Sequence, residues 1–144
     1  KKPQMTASSY AALVPELSCS DFQTSLAFYT DKLGFEVMHG HSENGFAYIA
    51  IGKAQIMLEQ SNAFWSTGEL QKPFGRGINF QILVNDVEQL YERVVSQNIP
   101  VFANLETSWY RIDQREHGQR EFLMQDPDGY LLRFSEDIGD RPVR

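Results

Sequence analysis

The feature that most restricts the fold is an internal duplication. One constant offset lays Ser20 on Asn85, Asp21 on Asp86, Gln23 on Glu88, Leu26 on Tyr91, Tyr29 on Val94 and Val37 on Phe102. Each half then carries a strand, a helix and three strands in that order. One such module has a single helix and few strands with which to cover an apolar face, so the two halves are expected to share a core. The fold class that follows is α+β, built from two βαβββ modules.

Taken in order, residues 13–19 alternate weakly and read as a strand. Ser20-Asp21-Phe22-Gln23 has the spacing of a capping box. Phe22, Leu26, Tyr29 and Leu33 follow at helical intervals, with Gly34 where a C-terminal cap glycine belongs. Residues 35–41, 46–51 and 55–59 read as three strands, the first two separated by a Glu43-Asn44-Gly45 turn. In the second half, residues 78–84 form a strand and Asn85-Asp86-Val87-Glu88 a second capping box. Val87, Leu90, Tyr91, Val94 and Val95 make a helix face, and residues 100–103 a strand. Two stretches read as loops: 60–77, containing Phe64, Trp65 and Phe74, and 104–118, containing Trp109, Tyr110 and His117. The expected organisation is a disordered tail or cloning remnant over 1–10, a first module over 11–59, a connection over 60–77, a second module over 78–136 and a C-terminal tail over 137–144.

Residues 120–133, REFLMQDPDGYLLR, read as a hairpin. Pro127 fixes φ within the turn and Gly129 supplies a positive φ. Alternation then puts Leu131, Arg133 and Ser135 on one face and Leu132 and Phe134 on the other.

Composition narrows the partners. The chain is 42% hydrophobic and 22% charged, a globular profile, with net charge −6. That balance disfavours nucleic acid and mildly favours cations. No apolar run approaches a membrane span and no signal peptide is legible, so the expectation is a cytoplasmic protein without membrane contact. Cys19 is the single cysteine, so no intrachain disulfide is possible; a buried inert thiol is the better reading than a nucleophile.

Three segments, VPELSCSDFQTSLAFYTDKLGFEV (14–37), INFQILVNDVEQLYERV (78–94) and REFLMQDPDGYLLRF (120–134), resemble the vicinal-oxygen-chelate superfamily. It includes glyoxalase I, extradiol dioxygenases, and fosfomycin- and bleomycin-resistance proteins. The resemblance implies two modules forming a curved mixed sheet with helices outside, in a homodimer whose cleft is shared between chains. Enzymes of that superfamily hold a divalent metal at four positions, which here are Val14, Asn79, Glu59 and Arg133. Valine donates nothing, an amide is a weak ligand and a guanidinium is a cation, so no metal and no other cofactor is expected. His39 and His41 share a strand face, either as an H-x-H pair or as two solvated histidines, and the second reading is favoured. If Glu59 and Arg133 face one cleft, they would form an ion pair where the metal would sit.

Alternation phased by the same positions turns Glu16, Phe46, Tyr48, Met57, Glu59, Gln81, Leu83, Glu121 and Leu123 toward the cleft. Such aromatic and carboxylate surface suits a flat cationic ligand. Within the superfamily the chain looks most like the bleomycin-resistance proteins, which bind a basic glycopeptide without chemistry. That likeness gives Phe46 a stacking role and sets Ser61 near a drug contact. It also expects a tryptophan before the Arg120-Glu121-Phe122 segment, where Gly118-Gln119 stands, and Trp109 is the candidate substitute. The expected function is a metal-independent protein, not an enzyme, that sequesters a bleomycin-like or other small cationic aromatic antibiotic. The candidate ligand-binding residues are Phe46, Tyr48, Glu59, Ser61, Trp65, Trp109, Gly118, Glu121 and Arg133, with no catalytic residue. The alternatives are a metal-dependent lyase or transferase, a metal-free isomerase, and a dimeric regulatory module with a degenerate cleft.

Overall fold

The duplicated pattern folds into two four-stranded sheets of matching order, each with the module's first strand at one edge, then its fourth, its third and, at the other edge, its second. In each, the module's first strand runs parallel to its fourth and the remaining pairs are antiparallel. The computed structural model describes residues 9–144. Of the expected N-terminal tail, residues 1–8 lie outside the described residues. The chain divides into two units: one runs up to Arg76 and takes in Asp126–Tyr130, and the other comprises Gly77–Gln125 and Leu131–Arg144.

The first unit contains β1 (Glu16–Cys19), α1 (Phe22–Ala27), β2 (Glu36–His41), β3 (Phe46–Ile51) and β4 (Ala54–Gln60). Helix α1 starts one residue later than the capping-box spacing predicts. Asp21 is the N-cap, its carboxylate accepting from the Thr24 N–H at 3.2 Å. Ser20, the expected cap, donates instead to Asp128, from its hydroxyl at 2.5 Å and its N–H at 3.0 Å. Past Ala27 the helix widens into a π-helical turn, Phe28–Lys32, in which the Leu33 N–H reaches the Phe28 carbonyl at 3.2 Å. The wide turn carries Tyr29 inward to complete burial. Leu17, Cys19, Phe22, Leu33, Phe35, Ile49, Ile56 and Leu58 are buried with it. Burial pushes the Cys19 thiol up to about 12, so the inert reading stands.

The Asp126-Pro127-Asp128-Gly129 turn belongs to this unit, although its flanking strands do not. Asp126 accepts from the Tyr29 hydroxyl at 2.7 Å and from the backbone N–H groups of Asp128 and Tyr130 at 2.9 and 3.1 Å. Asp128, almost fully buried, also meets the Lys72 ammonium at 3.5 Å. Gly129 has φ +100°, and a Cβ there would lie 2.5 Å from Pro73 Cβ, so only glycine fits.

The second unit contains β5 (Asn79–Leu83), α2 (Val87–Ser96), β6 (Ala103–Ile112), β7 (Arg115–Gln125) and β8 (Leu131–Pro142). Asp86 caps α2 by accepting from the Gln89 N–H at 3.0 Å, again one residue after the predicted cap, Asn85. Val87, Leu90 and Val94 are buried, as are Ile82, Phe122, Met124, Leu132 and Phe134. The stretch 104–118, expected as a loop, is most of β6, the tip and the start of β7. The residues expected as a tail continue β8 to Pro142. These distal strand segments are largely polar, so no apolar alternation marks them, whereas the turn residue Asp113 with φ +56° closes the hairpin tip. The strand expected over 100–103 begins at Ala103. No helix among the described residues is long and apolar enough to cross a membrane.

Candidate functional site

The face of the first sheet turned away from its buried apolar set holds an aromatic and acidic group. Register places His39 beside Tyr48, Tyr48 beside Met57 and Met57 beside Glu16 in one row, with His41, Phe46, Glu59 and Ser18 in the next. His39 stacks on Tyr48 with ring centroids 5.0 Å apart, and Phe46 lies 6.1 Å from His39. Tyr10 closes over Tyr48 edge-on at 5.4 Å. Gln55 holds that overlying segment. Its side-chain oxygen accepts from the Ala11 N–H at 2.8 Å and from the Tyr48 hydroxyl at 2.5 Å, and its amide donates to the Ser9 carbonyl at 2.6 Å. Tyr48 is thereby buried, while Phe46, Met57 and Glu59 stay half-exposed.

Beside the rings stand two carboxyls, Glu16 and Glu59. The Glu16 carboxyl is pushed above the usual carboxylate range by burial first, then by the charge of Glu59 and a hydrogen bond between the two. Glu59 also accepts from the Asn62 side chain. Among the described residues no lysine or arginine pairs with either acid. The pair is therefore short of positive charge in a place where a cation would relieve it.

The corresponding face of the second sheet is compensated from within. Arg133 Nε lies 3.0 and 3.1 Å from the two carboxylate oxygens of Glu121, and the Ser135 hydroxyl donates to Glu121 at 3.2 Å. The partner of Arg133 is thus Glu121 rather than Glu59. Gln81 and Leu123 flank the guanidinium in the same row.

Trp109 and Gly118, paired across β6 and β7, lie on the other side of this sheet. Gly118 is in phase with Arg120 and Phe122, whereas Glu121 alternates with them. Arg120 reaches Glu88 of α2 at 3.9 Å, which fixes that side as the helix-bearing one. Trp109 is therefore a strand residue and not a loop-rim residue. His117 is likewise on β7 rather than in a loop. Its Nδ1 is 2.7 Å from Asp140, and this hydrogen bond, opposed only in part by desolvation, raises its pKa above the usual imidazole value. Ser61 and Trp65 stand in the connection after β4. Ser61 donates its N–H to the Cys19 carbonyl at 2.9 Å, and Trp65 is 74% exposed beside Phe64 at 84%.

Of the residues singled out from sequence, the structure thus gathers Phe46, Tyr48 and Glu59 on one face and Glu121 and Arg133 on another. Trp109 and Gly118 lie on the opposite side of the second sheet from Glu121 and Arg133. Tyr10, His39 and Gln55 were not singled out for this role. For His39 a signal existed, since it alternates in phase with a strand face.

The four positions implied for a divalent metal do not suit one. Val14 offers no donor, Asn79 an amide at best, and the Arg133 guanidinium is bonded to Glu121. Among the described residues no group of three histidine, cysteine or carboxylate side chains is placed to hold an ion.

Residues 10–134 match the family model described as "Glyoxalase/Bleomycin resistance protein/Dioxygenase superfamily". The bleomycin resistance protein of Geobacillus stearothermophilus is 28% identical over 135 residues, covering 87% of this chain and 96% of that protein. A glyoxalase/bleomycin resistance protein/dioxygenase superfamily member from Vibrio splendidus 12B01 has 38% sequence identity and a TM-score of 0.42, over 85% of this chain and 95% of that one. TioX from Micromonospora sp. ML1 shares the fold with a TM-score of 0.66 at 18% identity, over 90% of this chain and all of that one (100%).

Proposed function

The chain belongs to the glyoxalase/bleomycin resistance protein/dioxygenase superfamily, and from that premise we propose that it is a binding protein which sequesters a small cationic aromatic molecule without chemistry or metal. The observation that carries this reading is the Glu16–Glu59 pair beside Phe46 and Tyr48. Two adjacent carboxyls that have no cationic partner among the described residues gain most from a bound cation, and the half-exposed Phe46 ring beside them supplies stacking surface. Ligand contact is assigned to Phe46, Tyr48 and Glu59, with Glu16 added, and Ser61 and Trp65 are assigned to the rim.

The relatives named bleomycin resistance protein support a bleomycin-like compound as the ligand class. The proposal extends to a homodimer, for which the exposed Leu13, Ile78, Leu83 and Phe102 side chains are the supporting feature. Sedimentation of the purified chain as a monomer at all concentrations would remove that extension.

The test of the ligand is a thermal-shift screen with cationic antibiotics and dyes, bleomycin included, followed by calorimetric titration. A tight ligand raises the melting temperature by mass action. Saturable binding that persists in chelator supports the proposal. No binding by any cationic aromatic compound, or turnover of one, contradicts it.

A further inference from the structure

The Trp109 indole has a cation on it already. Its ring lies against the backbone of Gly118, where a Cβ would stand 2.6 Å from Cζ3 of the indole and 2.7 Å from Cγ1 of Ile138. Glycine at 118 is what lets the ring cross β7. The guanidinium carbon of Arg141 sits 3.9 Å from the ring centroid. It is also tethered, with Nε 2.8 Å from Glu116 Oε1 and side-chain exposures of 25% and 20% for the two partners. Glu116 and Arg141 face each other across β7 and β8, two residues along from the Gly118–Gly139 pair. The four residues therefore form one enclosure with an aromatic surface, a carboxylate wall and a glycine floor, filled by a planar delocalised cation.

We infer that Arg141 is an internal pseudo-ligand, and that the Trp109–Gly118–Glu116 enclosure is a second binding site for planar delocalised cations of the guanidinium and amidinium class, closed at rest by the protein's own side chain. The geometry of the occupant defines the guest. A ring surface at cation–π distance selects positive charge and flatness, and a carboxylate at hydrogen-bond distance from an N–H selects a donor in the cation plane. A competing cation enters only by displacing Arg141, so affinity in the native chain is reduced by the free energy of that internal contact. All the residues lie in the second unit, so the inference stands independently of the ligand proposed for the first.

The experiment uses benzamidinium as probe and Trp109 fluorescence as readout, in a Trp65→Phe background so that one indole reports. Arg141→Ala leaves Glu116 without its partner and uncovers the ring. Benzamidinium is expected to quench Trp109 saturably in this variant, with affinity at least about tenfold above that of the parent, the factor expected when a cation–π contact and an ion pair no longer compete. Adding Glu116→Gln is expected to remove the gain, and free guanidinium is expected to compete with benzamidinium. Arg141→Gln, which keeps a planar side chain, serves if the alanine variant does not fold. Equal benzamidinium affinity in parent and folded variant, or no saturable quenching in either, would overturn the inference.

Discussion

The two units answer the same architectural problem with opposite charge arrangements. Register lets them be compared row by row. The row of Glu16, Met57, Tyr48 and His39 in the first unit corresponds to Gln81, Arg133, Leu123 and Ala103 in the second. The next row, Ser18, Glu59, Phe46 and His41, corresponds to Leu83, Ser135, Glu121 and Glu106. The first unit keeps its acids together beside rings and gives them no cation. On the corresponding face of the second, Arg133 pairs with Glu121, and on the opposite side of that sheet Arg141 pairs with Glu116. Duplication supplied two equivalent faces, and side-chain chemistry left one of them wanting positive charge.

The largest expected effect comes from making the first face resemble the second. Glu16→Gln with Glu59→Gln removes both charges at near-constant shape. Affinity for a cationic aromatic ligand is expected to fall at least about 30-fold, roughly 2 kcal/mol for two charge-assisted contacts. Calorimetric titration measures it, and an unchanged affinity would break the comparison at its centre.

The converse change makes the second face resemble the first. Arg133→Ala strands the half-buried Glu121 carboxylate. Stability is expected to fall by about 1–2 kcal/mol, below the value for a fully buried pair because the guanidinium is partly solvated. Adding Glu121→Ala is expected to cost less than the sum of the two single changes, as read by urea denaturation in a double-mutant cycle. Additive losses would mean the ion pair contributes nothing.

A pH titration sharpens the comparison further. Glu16 holds its proton above the usual carboxylate range, and a bound cation favours the ionised form. Cation affinity is therefore expected to be constant above that raised value and to fall as pH drops through it, with proton release on binding in the same window. Calorimetry in buffers of differing ionisation enthalpy detects the release.

The smallest effect is on the second unit's distal strands. His117 has a raised pKa in the folded state from its bond to Asp140. A raised imidazole pKa contributes stability that is complete below the unfolded value and lost as pH rises through the folded one. Between about pH 5 and 8 the stability difference between the native chain and His117→Asn is expected to shrink from the acid side to the alkaline side. A difference that does not vary with pH would remove His117 from the account.

Much of the architecture was legible because it is written in apolar period. The 46–51 strand, the Val87, Leu90 and Val94 face of α2 and the Asp126–Gly129 turn emerge as expected, whereas Val95, expected on that helix face, is exposed. The caps were displaced by one residue because serine or asparagine and aspartate stand side by side. Ser20 is drawn off by Asp128, a partner more than a hundred residues away that local spacing does not reveal. The distal strands were missed because neither face of residues 104–118 is consistently apolar, which leaves backbone pairing as their chief signature. Site residues divide the same way. Phe46, Tyr48 and Glu59 could be placed on one face by alternation alone, but the face of Trp109 depends on a strand whose existence was not legible.

The claim that the first unit's acidic and aromatic face receives the cation is tested most directly by chemical-shift mapping. Spectra of the labelled protein titrated with bleomycin, or with the cationic compound that the thermal screen selects, are predicted to show saturable shifts at Phe46, Tyr48, Glu16 and Glu59, the two carboxyl resonances included. Saturable binding that leaves those four residues unperturbed would contradict the account.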